Sequence, residues 1–185
     1  MKKTLALILF SIPILLSSCL SKGNPNTTRP PCSIDTLLIS EDFLPEGIFY
    51  ETGTRSAYDP PAKVGIEKTG TSFSSENSGG LIHHVYRFST EKEAQTEIEQ
   101  IISYAFEDTN NIDWFTPPIN LHINADEYKL GCMQLPYANG VRCRLVTRYK
   151  VYVSDIDIDL IEFNYEDLSS IVGELNERMV SCFES

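Results

Sequence analysis

Between residues 141 and 153 the chain alternates strictly. Val141, Cys143, Leu145, Thr147, Tyr149, Val151 and Val153 fall on one parity; Arg142, Arg144, Val146, Arg148, Lys150 and Tyr152 fall on the other. A period of two places a mostly apolar face and a basic face on one extended segment. This is the longest regular pattern in the chain, and it predicts the central strand of a sheet. Beyond Val153 the apolar positions change parity, to Ile156, Ile158 and Leu160. Residues of opposite parity do not share one flat face. The shift therefore predicts a bulge at Ser154-Asp155, or a turn between Tyr149 and Asp155.

The same reading gives the other elements in order. Ser33 is placed to cap a short helix in 32–44. Strands are predicted at 48–52, weakly at 64–69, and at 81–88, with loops at 53–61 and 72–80. The four residues Thr90-Glu91-Lys92-Glu93 form a capping box. Behind it, Ala94, Ile98, Ile101, Ile102 and Ala105 recur at helical spacing, predicting a helix over 91–107. Alternation at Ile119, Leu121 and Ile123 predicts a strand, and Tyr128, Leu130 and Cys132 predict another. Asn164 is placed to cap a second helix over 165–183, with Phe163 and Leu168 as a hydrophobic staple. Leu168, Ile171, Val172, Leu175, Met179 and Cys182 would line its buried face. Burying the first five contributes roughly 8–15 kcal/mol gross, so this helix has to dock on the sheet.

Strands, helix, further strands and a last helix define an α+β domain: an antiparallel sheet packed with two main helices. The element order is similar to that of the small αβα sandwiches of the PsbP-like type, which several bacterial lipoproteins share. That resemblance implies a fold and no particular activity.

The N-terminus adds an address. Lys2 and Lys3 precede an apolar run from Leu5 to Leu16, broken only by Ser11 and Pro13, and then come Leu16-Ser17-Ser18-Cys19. The run is shorter than the ~20 residues a spanning helix needs. These residues resemble the bacterial lipobox. The resemblance covers the first 19 residues and implies a signal peptide at 1–18, cleavage before Cys19 and acylation of that cysteine, with palmitate among the added chains. Each buried methylene adds roughly 0.8 kcal/mol, and a second acyl chain makes the anchor stable. Leu20 follows Cys19, so the Asp that signals inner-membrane retention in Gram-negative lipoproteins is missing, which favours the outer membrane in such an organism. Residues 19–31, with Gly23, Pro25, Pro30 and Pro31, read as a flexible tether. Residues 32–185 read as one extracytoplasmic domain in the cell envelope or periplasm.

Charge and sulfur sharpen this picture. Fifteen basic and 26 acidic residues give a net charge of −11. Loss of 1–18 removes Lys2 and Lys3 and no acid, leaving −13. Such a chain repels nucleic acid and anionic headgroups. Four cysteines follow Cys19, and an even count in an exported chain implies two disulfides. Three connectivities are open to four cysteines; Cys132 and Cys143 flank the turn-rich Pro136-Tyr137-Ala138-Asn139-Gly140 and can face each other across a hairpin. Cys32 and Cys182 then close the domain at its two ends. Cys32–Cys182 and Cys132–Cys143 are the expected pairs; the spacing contains no C-x-x-C of a redox or zinc site.

Candidate chemistry is sparse. Asp155, Asp157, Asp159 and Glu166 have the spacing of the acids in a helix–loop–helix calcium loop, but Leu160 stands where that loop needs Gly, and the interleaved isoleucines favour a strand with the acids on its solvent face. No metal site is therefore assigned. His83 and His84 are adjacent and point to opposite faces of a strand, so they cannot share a metal from one side; a metal site there would need His122 to join one of them through space. Arg142, Arg144, Arg148 and Lys150 form a basic row that suits either an anionic ligand or partner, or the chain's own acids on neighbouring strands. Trp114, with Phe115 and Pro117, and Tyr137 in another loop, suit either a binding edge or a core plug. No nucleophile motif, phosphate loop or H-E-x-x-H is present. No cofactor is implied. The expectation is a non-catalytic, lipid-anchored binding or accessory lipoprotein, tethered to a membrane and meeting an envelope protein or small ligand. The alternative is a small hydrolase-like enzyme with a dispersed site, and a deep pocket with converging ionisable groups would distinguish it.

Overall fold

The computed structural model describes residues 32–44, 67–74, 80–107, 113–135, 140–161 and 164–184. The expected signal peptide, tether and 48–52 strand, the expected loop at 53–61 and turn at 136–139, and the expected Phe163 staple lie outside the described residues.

Five strands form one antiparallel sheet: β1 (Glu67–Ser74), β2 (Gly80–Arg87), β3 (Glu127–Gln134), β4 (Val141–Tyr149) and β5 (Tyr152–Leu160). Their spatial order is β1-β2-β5-β4-β3. Helix α1 (Glu91–Ala105) enters between β2 and β3, and α2 (Tyr165–Glu184) follows β5. Two short 3-10 turns, Ile34–Leu37 and Glu41–Phe43, precede the sheet. The architecture is the α+β domain that the residue pattern predicts, with both disulfides in the expected pairing.

The two helices lie on opposite faces, so the domain has three layers. Leu168, Ile171, Val172, Leu175 and Met179 of α2 are buried with Leu81, Val85, Leu145, Ile156, Ile158 and the N-terminal Ile34, Leu37 and Ile39. Ala94, Ile98 and Ile101 of α1 pack with Tyr86, Phe88, Val146 and Val153 on the other face. The capping expectations hold for both helices. Thr90 Oγ1 accepts the Glu93 amide at 3.1 Å. Asn164 Oδ1 accepts the amides of Glu166 and Asp167, while Asp167 returns a carboxylate to the Asn164 amide. Each bond satisfies an amide that the helix itself leaves without a partner.

The change of parity after Val153 is resolved by a turn. The predicted strand over 141–153 is two strands joined at Lys150 and Val151, with Tyr149 opposite Tyr152. A two-residue connection pairs odd positions of β4 with even positions of β5. Cys143, Leu145 and Tyr149 therefore share a face with Tyr152, Ile156 and Ile158, and Val153 moves to the α1 side. Lys150 takes a positive φ of 54°, which a tight antiparallel turn demands and a Cβ-bearing residue adopts at a cost. Asp126 offsets that cost. Its Oδ2 accepts the Lys150 amide at 2.7 Å, and its Oδ1 faces Lys150 Nζ at 3.2 Å.

Three further expectations are corrected. The alternation at 119–123 is real in burial, since Ile119, Leu121, Ile123 and Ala125 pack on the α2-side core. Yet this stretch is extended chain without a ladder, tied to α2 by the Asn124 amide donating to Asn176 Oδ1 at 2.7 Å. The first described strand, Glu67–Ser74, runs into the stretch read as a loop, because Phe73 is buried opposite Leu81. Ser33 precedes a 3-10 turn but caps it with no side-chain bond; its carbonyl instead accepts from Thr36.

Candidate functional site

The basic row of β4 and the acidic row of β5 meet on the α1 side of the sheet. In the register, Arg142 stands opposite Asp159 and Arg144 opposite Asp157. Arg142 closes a two-pronged pair on its direct partner, Nε to Oδ1 at 2.6 Å and Nη2 to Oδ2 at 3.1 Å. Arg144 instead reaches the diagonal acid, Asp155, at 2.9 and 2.6 Å. Asp157 lies between them, with Arg142 Nε at 3.6 Å from its Oδ1. Burial pushes its carboxyl up to about 6, against the pull of Arg142 and Arg144 and with help from Asp155 and Asp159. The planar guanidinium fork is what allows two such pairs side by side.

His84 stands opposite Asp155 on the same face. Burial lowers its pKa; Asp155 opposes that shift, and Arg144 and Lys68 add to it. His83 points the other way, as strand geometry requires, and is fully buried. The two histidines thus serve different layers, while His122 is exposed on the extended stretch. Asp155, Asp157 and Asp159 share one face of β5, but Glu166 sits in the first turn of α2. Among the described residues no three His, Cys, Asp or Glu side chains are grouped to hold a metal ion.

The remaining basic residues also face acids. Arg148 lies 3.3 Å from Asp126 and 3.7 Å from Glu127, and Lys150 pairs with Asp126. Trp114 is half-buried. Its ring meets Phe106 edge-on at 4.8 Å between centroids, above Gly131, where a Cβ would come within 2.7 Å of Phe106. Phe115 next to it stays 39 % exposed and exchanges two backbone bonds with Cys132. Tyr137 lies outside the described residues.

A second feature is a solvent-open pocket of about 400 Å³ lined by Asn124, Asp126, Tyr149, Lys150, Val180 and Phe183. Three stretches build it: the extended chain before β3, the β4–β5 turn and the last turns of α2. Among its residues, Tyr149 and Lys150 belong to a pattern legible in the sequence. The others converge because the turn at Lys150-Val151 returns β5 beside β4 and α2 then runs back across the sheet. Phe183 also meets Tyr152 edge-on at 5.9 Å, and the Tyr152 hydroxyl donates to the Cys32 carbonyl at 3.0 Å. Cys32 is bonded to Cys182. The pocket therefore adjoins the point where the chain enters the domain.

Compared with known proteins, the chain matches no protein-family model and no curated protein. Among the described residues no helix is long and apolar enough to cross a membrane.

Proposed function

We propose that this chain is a lipid-anchored extracytoplasmic lipoprotein whose domain binds an envelope partner or small ligand and does no chemistry on it. The observation that carries the reading is the pair of disulfides, Cys32–Cys182 and Cys132–Cys143. Such bonds persist in oxidising compartments outside the cytosol, the same destination that Leu16-Ser17-Ser18-Cys19 implies. Binding is favoured over turnover by how the ionisable groups are used. Arg142, Arg144, Asp155 and Asp159 are spent on one another, and both ring nitrogens of His83 are spent on buried hydrogen bonds to Ile39 and Ser154.

The anchor is tested with Cys19→Ala. The parent is expected in the membrane fraction with incorporated radiolabelled palmitate, processed at Cys19; the variant is expected to lose the label and the membrane association. A variant that stays equally membrane-bound overturns the reading. In a Gram-negative host the parent is expected to co-fractionate with the outer membrane.

A further inference from the structure

We infer that the pocket beside Cys32 binds a small carboxylic acid with an apolar body, taking the carboxylate on Lys150 and Asn124 and the body against Val180, Tyr149 and Phe183. The inference deepens the binding reading above and rests on it. The size suits it, since small-molecule sites are concave, run from roughly 300 Å³ upward and combine apolar walls with a few placed polar groups. The pocket holds about 400 Å³ and has that mixture.

Ligand polarity follows from counting bonds. Asp126 is the only acid among the described residues of the lining, and three of its roughly four acceptor sites are used. Oδ2 takes the Lys150 amide at 2.7 Å and Arg148 Nη1 at 3.3 Å, and Oδ1 takes Lys150 Nζ at 3.2 Å. Burial alone would raise its pKa, but the two hydrogen bonds from Lys150 and the charges of Lys150 and Arg148 outweigh that and lower it. A carboxylate so committed offers little to a cationic guest. Lys150 is the opposite case. An ammonium has three donors, and one is spent on Asp126, while its side chain remains half exposed. Asn124 uses its backbone amide on Asn176, and the residue is exposed and lines the pocket. Of the two charged groups in the lining, Lys150 keeps two of its three donors free while Asp126 has most of its acceptor sites engaged, and a carboxylate is the complementary head.

The apolar half is equally placed. Val180 is partly buried on the core and Phe183 is 36 % exposed. The Tyr149 hydroxyl donates to Asn176 Oδ1 at 3.2 Å, so this wall offers its ring and its polar tip is already satisfied. An aromatic or short aliphatic body covers Phe183 and removes its apolar surface from water.

The test is an NMR titration of the full chain in nanodiscs with phenylacetate, against phenethylamine, a cation of the same shape. Phenylacetate is expected to shift resonances of Asn124, Lys150, Val180 and Phe183, and phenethylamine to bind at least tenfold more weakly. Lys150→Gln, which removes the charge and keeps a polar head, is expected to weaken phenylacetate at least tenfold. Val180→Trp, which fills the floor, is expected to abolish the shifts while the circular dichroism stays that of the parent. Phenylacetate that leaves these resonances in place, that binds no better than the amine, or that binds Lys150→Gln as well as the parent overturns the inference. None of those results alters palmitate labelling or membrane retention, on which the anchored reading is judged.

Discussion

The amide of Ile39 donates to Nδ1 of His83 at 3.1 Å, and this bond sews the N-terminal segment to the sheet. On the other side of the ring, Nε2 lies 2.9 Å from Ser154 Oγ. Since Nδ1 accepts, Nε2 carries the proton, and the ring is neutral. The imidazole is fully buried, and burial, assisted by the positive potential of His84 and Arg178, lowers its pKa to about 3. Arg178 reinforces the same segment by donating to the Leu38 carbonyl at 2.6 Å and to Ser40 Oγ at 3.0 Å.

A pH dependence follows, and its sign is fixed. Between the unfolded value of about 6.5 and about 3 in the fold, the unfolded chain holds more protons at this site. Stability from His83 is therefore complete above about pH 6.5 and is lost as the pH falls, at up to about 1.4 kcal/mol per pH unit. Asp157 works in the opposite sense over pH 4 to 6, because its folded value is raised to about 6. The two are separated by variants. The urea midpoint of His83→Gln is expected to fall less between pH 7 and pH 5 than that of the parent. A parent–variant difference that is constant with pH would remove the titration account.

Asp157 gives a second, independent expectation. Its charged form is disfavoured by the fold, since its register partner Arg144 is committed to Asp155. Asp157→Asn should thus raise the urea midpoint at pH 8, and the gain should vanish as the pH drops below 4, where the parent carboxyl is protonated in both states. A variant less stable than the parent at pH 8 would mean that the attraction of the two arginines exceeds the burial penalty.

The disulfides differ in what they constrain. Cys32–Cys182 closes a separation of 150 residues and Cys132–Cys143 one of 11. On chain-entropy grounds these are worth about 5 and about 3 kcal/mol. Replacing both cysteines of a pair with Ala should therefore cost more at Cys32 and Cys182 than at Cys132 and Cys143. Urea denaturation of the two double variants, each with the other bridge intact, checks the order.

Much of this fold was legible because its signals are local. The capping box at Thr90 and the Asn164 cap mark helix starts without reference to anything distant. The spacing of Cys132 and Cys143 about a turn-rich stretch announces a hairpin by itself. The change of parity after Val153 signalled a break, but a positive φ at Lys150 depends on Asp126, which lies far off in the sequence. The 119–123 stretch misled for the complementary reason: one-sided burial produces alternation whether or not a ladder partner exists. The pairing of Arg142 with Asp159 follows from register, but the diagonal choice of Arg144 is set by three-dimensional reach. The pocket was invisible, since Asn124, Tyr149 and Phe183 come from elements brought together only by the final topology.

Gly173 lies inside α2, and a Cβ built there meets no atom within 4 Å. Glycine in a helix interior costs about 0.5–1 kcal/mol relative to Ala, largely through the freedom of the unfolded chain. Gly173→Ala should raise the melting temperature by about 1–4 °C in a domain of this size. Scanning calorimetry under reversible conditions measures it, and no gain would indicate that α2 requires the freedom of glycine at this position.

Arg144 and Asp155 form the more buried of the two forked pairs. Their side chains are 22 % and 8 % exposed, against 41 % and 15 % for Arg142 and Asp159. Removing one member of a buried pair leaves the other charge without water or partner and costs about 3–5 kcal/mol, while replacing both with apolar residues of similar volume is near neutral or stabilising. An exposed pair is worth about 0–1 kcal/mol, because water already solvates its members. Arg144→Met alone should therefore destabilise severely, and Arg144→Met combined with Asp155→Leu should recover most of the loss. Arg142→Met should cost about 1 kcal/mol or less, and its effect should shrink in high salt. If the double variant proves no more stable than Arg144→Met, then Asp155 is not the group left stranded, and the cost lies in the packing of the Arg144 stem against its neighbours.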